Sequence, residues 1–207
     1  MSHIVSKEII KQFLPENPIV LEAGAHIGRD TVKMARLWPQ AQIHAFEPAP
    51  SLFEQLNQNT AEFSNIHCYS YALSDHNGNA LFYESHGINA ISSLHKPNDY
   101  FKDKATFIPI TVQTITIDSW AAQYQVPHID FMWLDLQGHE LIALQGALQI
   151  LKTTRVILTE INLVQRYENA IVYHELRQWL ADHNFELRQE ALHKKDWGNA
   201  LFIAKNL

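Results

Sequence analysis

Cysteine is nearly absent from this chain, which has only Cys68, so no internal disulfide can form and a disulfide-stapled fold is excluded. Cys68 stands in an apolar and aromatic run and reads as a buried structural thiol. Long apolar runs are missing as well: no segment approaches the roughly 18 uninterrupted apolar residues of a membrane span. Residues 1–14 mix Lys7, Glu8 and Lys11 with Ile4, Val5, Ile9 and Ile10, without the apolar block and small-residue cleavage site of a secretory signal. A soluble, cytoplasmic protein is the expectation. There is no excess of basic charge either, since 16 Lys and Arg stand against 22 Asp and Glu for a formal charge of −6. That balance is not the one of a protein that holds nucleic acid by its phosphates. The 12 histidines avoid the i, i+4 pairing of a helical zinc site, and no metal is expected.

What the chain does have is alternation. Its 207 residues suit one domain over 1–207, and short apolar runs alternate with amphipathic ones, the signature of parallel βαβ units. A first helix over 6–13 is stopped by Pro15 and Pro18, within an N-terminal lead-in of 1–17. Strands are expected at 19–21, 42–46 and 66–73, with helices at 30–37 and 50–59 between them. Asn77-Gly78 is a hairpin signal that would join 66–73 to a strand at 80–84. The polar stretch that follows, 85–106, reads as a flap or substrate loop, and its flanking aromatics Tyr83, Tyr100, Phe101 and Phe107 suit a pocket, a subunit interface or the core. A strand at 107–114 precedes a helix at 119–124, for which Asp118 is a plausible N-cap. The parallel pattern resumes with a strand at 129–134, a helix at 141–151 with a core stripe of Leu141, Leu144, Leu148 and Leu151, and a strand at 155–159. A last helix at 173–183 leads to strands at 185–191 and 200–204 joined by a turn with Gly198 and Asn199, so the sheet ends antiparallel. The fold class is α/β: a doubly wound, Rossmann-like, mostly parallel sheet with an antiparallel C-terminal strand.

In such sheets ligands bind beyond the carboxyl ends of the strands. The strongest local feature lies at one of these ends: Leu21-Glu22-Ala23-Gly24-Ala25-His26-Ile27-Gly28, an acid closing a strand and two glycines in the turn to a helix. A dinucleotide fingerprint would need a third glycine, and a carboxylate there would repel pyrophosphate. The acid suits a ligand with an ammonium group, such as the methionine part of S-adenosylmethionine, held by Glu22 directly or through water. About 25 residues later Glu47, in Ala45-Phe46-Glu47-Pro48, closes the second strand, where an acid can accept both hydroxyl hydrogens of a ribose. Ala72, Leu73, Ser74 and Asp75 close the third and could meet adenine, with a turn cap as the other role for Asp75. The fourth ends in Asp135-Leu136-Gln137-Gly138-His139-Glu140. There Asp135 projects toward the donor methyl, His139 is a candidate general base, and Glu140 suits a helix start. Glu160, at the end of the fifth, is the last acid on that rim.

On these residues the sequence resembles the FkbM family of S-adenosylmethionine-dependent methyltransferases. The markers are 21–28, Ala-Phe-Glu-Pro at 45–48, Ala-Leu-Ser-Asp-His-Asn-Gly at 72–78, Thr-Ile-Asp at 116–118, Asp-Leu-Gln-Gly-His-Glu at 135–140 and Thr-Glu-Ile at 159–161. The resemblance implies a class I methyltransferase sheet, with S-adenosylmethionine held by Glu22, Gly24, Ala25, His26, Gly28, Glu47, Pro48, Ala72, Leu73 and Asp135. It also implies methylation of a hydroxyl on a sugar or natural product, with the Asp135 loop near the donor methyl. Asp135 and His139 are the candidates for removing the hydroxyl proton. Two positions depart from the family pattern: His139, where a small residue is usual, and Tyr71, where asparagine is expected. The alternatives are a nicotinamide-dependent oxidoreductase and a non-catalytic module that binds an adenosyl ligand.

Overall fold

The structure, a computed structural model, describes residues 5, 7–87, 89–193 and 196–206. After a short helix α1 (Lys7–Lys11), β1 (Ile19–Ala23), α2 (Arg29–Leu37), β2 (Gln42–Phe46), α3 (Pro50–Thr60) and β3 (Ile66–Tyr69) make two successive strand-helix units. The second half supplies α4 (Ile117–Gln123), β7 (Phe131–Leu134), α5 (Glu140–Gln145), β8 (Val156–Asn162), α6 (Tyr173–Asp182), β9 (Phe185–His193) and β10 (Trp197–Ala204). Seven strands form one sheet in the order β3-β2-β1-β7-β8-β10-β9. The first five run parallel, and β10 lies antiparallel between β8 and β9. The fold class expected from the sequence is the one observed. The chain reverses direction across the sheet at β1 and β7, and their carboxyl ends open the crevice where such sheets take ligands.

Burial on both faces explains why the central strands read as unbroken apolar runs. Leu21, Met132, Ile157 and Phe202 point to the face covered by α4, α5 and α6, where they meet Trp120, Leu144 and Leu180. Their neighbours Val20, Phe131, Val156 and Leu201 point the other way, onto Ile10, Met34 and Trp38 of the α1–α2 side. The alternation follows from the two-residue period of a strand.

Several local expectations change. The run 66–73 divides: β3 stays at the edge of the main sheet, while β4 (Ala72–Leu73) joins β5 (Gly78–His86) and β6 (Thr106–Ile115) in a second sheet of order β4-β6-β5. Asn77 therefore does not turn a hairpin between neighbouring strands. Its side chain accepts from Thr116 N at 2.8 Å and donates to Ser119 Oγ at 3.0 Å, pinning the start of α4. The N-cap of α4 is Thr116, whose hydroxyl accepts from Ser119 N; Asp118 instead accepts from Gln149 N and Ile150 N, both at 2.9 Å. The expected helix 141–151 stops at Gln145, and at the cap a Cβ on Gly146 would lie 2.2 Å from the Ser74 carbonyl oxygen, an approach only glycine permits. Leu148 consequently faces solvent while Leu141, Leu144 and Leu151 are buried. Gly198 and Asn199 lie inside β10, and residues 194–195 between the two last strands fall outside the described residues. Likewise residues 1–4 and 6 of the expected lead-in and Ile88 of the expected flap are not among those described. Among the described residues no helix is long and apolar enough to cross a membrane.

Candidate active site

The turn after β1 is shaped by two left-handed glycines, Gly24 at φ +82 and Gly28 at φ +81. The amides of Gly24 and Ala25 both donate to the Phe46 carbonyl, at 3.0 and 2.9 Å, which stitches the turn to the end of β2. Gly28 has a packing reason of its own: a Cβ there would meet Leu56 Cδ1 at 2.8 Å and Thr60 Cγ2 at 3.2 Å, so its absence lets α2 and α3 close together. Asn59 of α3 adds a 2.8 Å bond from its side-chain amide to the Ile27 carbonyl.

Glu47, one residue past β2, is buried with each oxygen already holding one backbone hydrogen: Oε2 accepts from His26 N and Oε1 from Ala49 N, both at 2.9 Å. Each carboxylate oxygen has two lone pairs, so one acceptor site on each remains available. Burial raises its pKa to about 7, against the pull of those two amides. Beside it His26, in left-handed backbone at φ 54, has a buried Nε2 with no hydrogen-bond partner. Two acceptor sites side by side next to an unpartnered ring nitrogen suit a ligand carrying vicinal hydroxyls.

The loop after β7 is built on a second left-handed pair, Gln137 at φ 53 and Gly138 at φ 96. Glu140 stabilises it from the start of α5 by accepting from the backbone amides of Leu136 at 2.9 Å and Gly138 at 3.0 Å, a structural role for that acid. The side-chain amide of Gln137 bridges two carboxyls, donating to Asp135 Oδ1 at 2.7 Å and to Glu160 Oε1 at 2.9 Å. Burial raises the pKa of both acids, and Glu160 is raised further by the charges of Asp135 and Glu140. The nearby guanidinium is that of buried Arg166, 3.7 Å from Glu160 and bonded to Asn162 at 2.8 Å.

These pieces enclose one cleft. Gly24, His26, Phe46, Glu47, Pro48, the 71–73 stretch, Phe82, Ala90, Ser92, Leu94, Asp135, Leu136, Gln137 and His139 line it. The segment that carries Ala90, Ser92 and Leu94 is tied down. Ser93 pairs with Tyr83 through both backbone groups, its hydroxyl donates to the Gln137 carbonyl at 3.1 Å, and Tyr167 donates to the Ile91 carbonyl at 2.7 Å.

The profile of the Methyltransferase FkbM domain matches residues 22–187. The chain belongs to the FkbM methyltransferase family. As a methyltransferase of this family it uses S-adenosylmethionine as cofactor, and the nicotinamide alternative is set aside. This FkbM methyltransferase is 27% identical over 176 residues to the 2-O-methyltransferase NoeI of Sinorhizobium fredii, covering 81% of this chain and 72% of that one. It is 26% identical over 148 residues to the hexuronic acid methyltransferase AglP of Haloferax volcanii, covering 71% of this chain and 57% of that one. Among solved structures it resembles the FkbM methyltransferase of Methylobacillus flagellatus with a TM-score of 0.60 at 13% identity, over 91% of this chain and 44% of that one. It also resembles the fibrillarin of Aeropyrum pernix, which natively holds S-adenosyl-L-methionine, with a TM-score of 0.53 at 16% identity, over 92% of this chain and 69% of that one. At such identities the structural likeness is one of fold.

In this FkbM methyltransferase Gly24, His26, Glu47, Pro48, Ala72, Leu73, Asp135 and His139 of the sequence-derived candidates converge on the cleft, while Glu22, Ala25 and Gly28 stand outside its lining. Glu22 shares the strand face of Val20, and its Oε2 accepts from the Thr31 hydroxyl of α2 at 2.5 Å; burial raises its pKa to about 8. Tyr71 lines the cleft. The aromatics Tyr100, Phe101 and Phe107 pack with one another and with Tyr167, away from the cleft lining. Sequence reasoning missed Gln137, His95 and Arg166. Gln137 stood inside a recognised motif, but nothing in the sequence pairs residue 137 with residue 160.

Proposed function

We infer that this enzyme transfers the methyl group of S-adenosylmethionine to a hydroxyl oxygen of a small-molecule acceptor, a sugar or a natural product. The carrying observation is Glu47: a buried carboxyl in the cleft wall whose two oxygens, each steadied by one backbone amide, keep one acceptor site apiece. That pair suits the two ribose hydroxyls, and the apolar surfaces of Phe46, Leu52, Ala72 and Leu73 suit a flat base. The backbone of Gly24, with His26 and Pro48, completes the cofactor half. The names of NoeI, a 2-O-methyltransferase, and of AglP, a hexuronic acid methyltransferase, support a sugar hydroxyl as acceptor.

S-Adenosylmethionine, when bound, supplies a methyl group on a positively charged sulfur. The chain's own contribution is alignment and one proton acceptor, because in-line displacement depends chiefly on holding the attacking oxygen on the axis of the breaking bond. Asp135 is that acceptor. Gln137 holds its Oδ1, which leaves Oδ2 to the cleft, and burial makes the carboxylate a stronger base than one in water. With the cofactor and an acceptor bound, Asp135 would take up the proton that the acceptor hydroxyl gives up.

Calorimetric titration with S-adenosylmethionine and S-adenosylhomocysteine, on the wild type and on Glu47→Ala, tests the reading. Binding by the wild type and a loss of roughly tenfold or more in the variant is expected, the scale of two hydrogen bonds to a carboxylate. A folded wild type that binds neither compound would overturn it.

A further inference from the structure

His139 makes contacts that the transfer scheme leaves unused. Its Nδ1 lies 3.1 Å from Nε2 of His95 and its Nε2 lies 3.1 Å from the hydroxyl of Ser74. Ser74 Oγ is 3.2 Å from Oδ1 of Asp75, which His76 Nδ1 approaches to 2.7 Å. Both ring nitrogens of His139 are thus occupied, and neither is open to take a proton from an acceptor hydroxyl. The string begins on the segment over the cleft, passes through the cleft wall at His139 and ends at the surface, where Asp75 and His76 are about half exposed.

Counting hydrogens gives the string a direction. The hydrogen bonds from His76 and Ser74 hold Asp75 below the usual carboxylate range, so it is ionised and can only accept. Ser74 must then donate to Asp75 and accept from His139, which requires the hydrogen of His139 on Nε2. Burial keeps both histidines neutral, His139 with a pKa of about 3, and a neutral ring has one N–H. Nδ1 of His139 therefore accepts, and Nε2 of His95 donates. At the far end the ring of His95 also lies near the backbone carbonyls of Glu168 and Gly138, which favour a hydrogen on that ring. The Asp75 carboxylate sets the direction, since a charge-assisted hydrogen bond is roughly twice as strong as a neutral one.

We propose that Asp75 and His95 are positioning residues that act through His139: the surface carboxylate sets the tautomer of the cleft-wall ring, and His95 ties that ring to the segment lying over the cleft. The proposal rests on the methyl-transfer reading for its use, which is to hold a wall of the acceptor half in one hydrogen-bonding state.

Ring ¹⁵N shifts of the full chain labelled at histidine, recorded near neutral pH without ligands, decide it. In the wild type both His139 and His95 are expected as Nε2–H tautomers, with scalar coupling between His139 Nδ1 and His95 Nε2. Asp75→Ala frees the Ser74 hydroxyl to donate to His139, and both rings move together toward Nδ1–H. Asp75→Asn keeps an accepting oxygen and retains the wild-type tautomers. Unchanged tautomers in Asp75→Ala, or a change in one ring alone, would overturn the proposal. A failure of cofactor binding would sink the methyl-transfer reading without altering these shifts, so the two failures are distinguishable.

Discussion

A Cβ placed on Gly24 would lie 2.1 Å from the backbone carbonyl oxygen of Asp135. The turn after β1 and the loop after β7 are therefore in backbone contact, through a position that has no room for a side chain. Asp135 N also donates to the Ala23 carbonyl at 3.0 Å, so the contact is held from both sides.

Gly24→Ala combines that clash with a left-handed backbone, which alone costs a non-glycine residue about 1–2 kcal/mol. The variant is expected to lose on the order of 3 kcal/mol or more in unfolding free energy. Its affinity for S-adenosylhomocysteine should fall with it, because relieving the clash displaces Asp135. Denaturant unfolding and calorimetry check both, and a variant with wild-type values in each would refute the contact's importance.

Asp135→Asn keeps the shape and the Gln137 bond but removes the base. With an acceptor that the enzyme turns over, kcat should drop roughly 10²–10⁴-fold while S-adenosylhomocysteine affinity stays near wild type. The pKa of Asp135 is raised, chiefly by burial, so wild-type kcat should climb with pH as its proton leaves. That limb should vanish in the variant. A pH profile identical in both proteins would assign the proton to another group.

Burial raises Glu22 to about 8 from an ordinary 4.5. Below the lower value both folded and unfolded chains carry the proton; between the two, the unfolded chain releases it first, so rising pH favours unfolding through that window. Glu47 and Glu140, each raised to about 7, act in the same direction. Glu22→Gln cannot ionise and can still accept from Thr31. Its unfolding free energy relative to wild type should improve between mildly acidic and mildly alkaline pH, by on the order of 1 kcal/mol or more. Urea unfolding across that range checks it, and a pH-independent difference would mean that Glu22 ionises freely in the folded protein.

Much of this was legible along the chain. Local rules place the parallel strands, because a strand buried on both faces is apolar throughout, and they place Gly24, Glu47 and Asp135 at strand ends, because glycine and acid motifs interrupt those runs. Where expectations failed, a distant partner had intervened. Ala72 and Leu73 leave the main sheet to pair with Thr114 and Ile115. Ser74 lies against Gly146 at the end of the helix from Glu140, and Glu22 faces Thr31 because strand period turns alternate side chains to opposite faces.

By itself, then, the order of residues determined the βαβ rhythm, the family and the strand ends at which chemistry could stand, since those depend on short-range periodicity, turn chemistry and motif spacing. Only the tertiary structure decided which acids open onto the cleft, that Gln137 bridges Asp135 to Glu160, and that His95 reaches His139. Those contacts join residues 23 and 44 positions apart, and they exist only once β7 and β8 lie side by side and the segment after β5 has folded back over them.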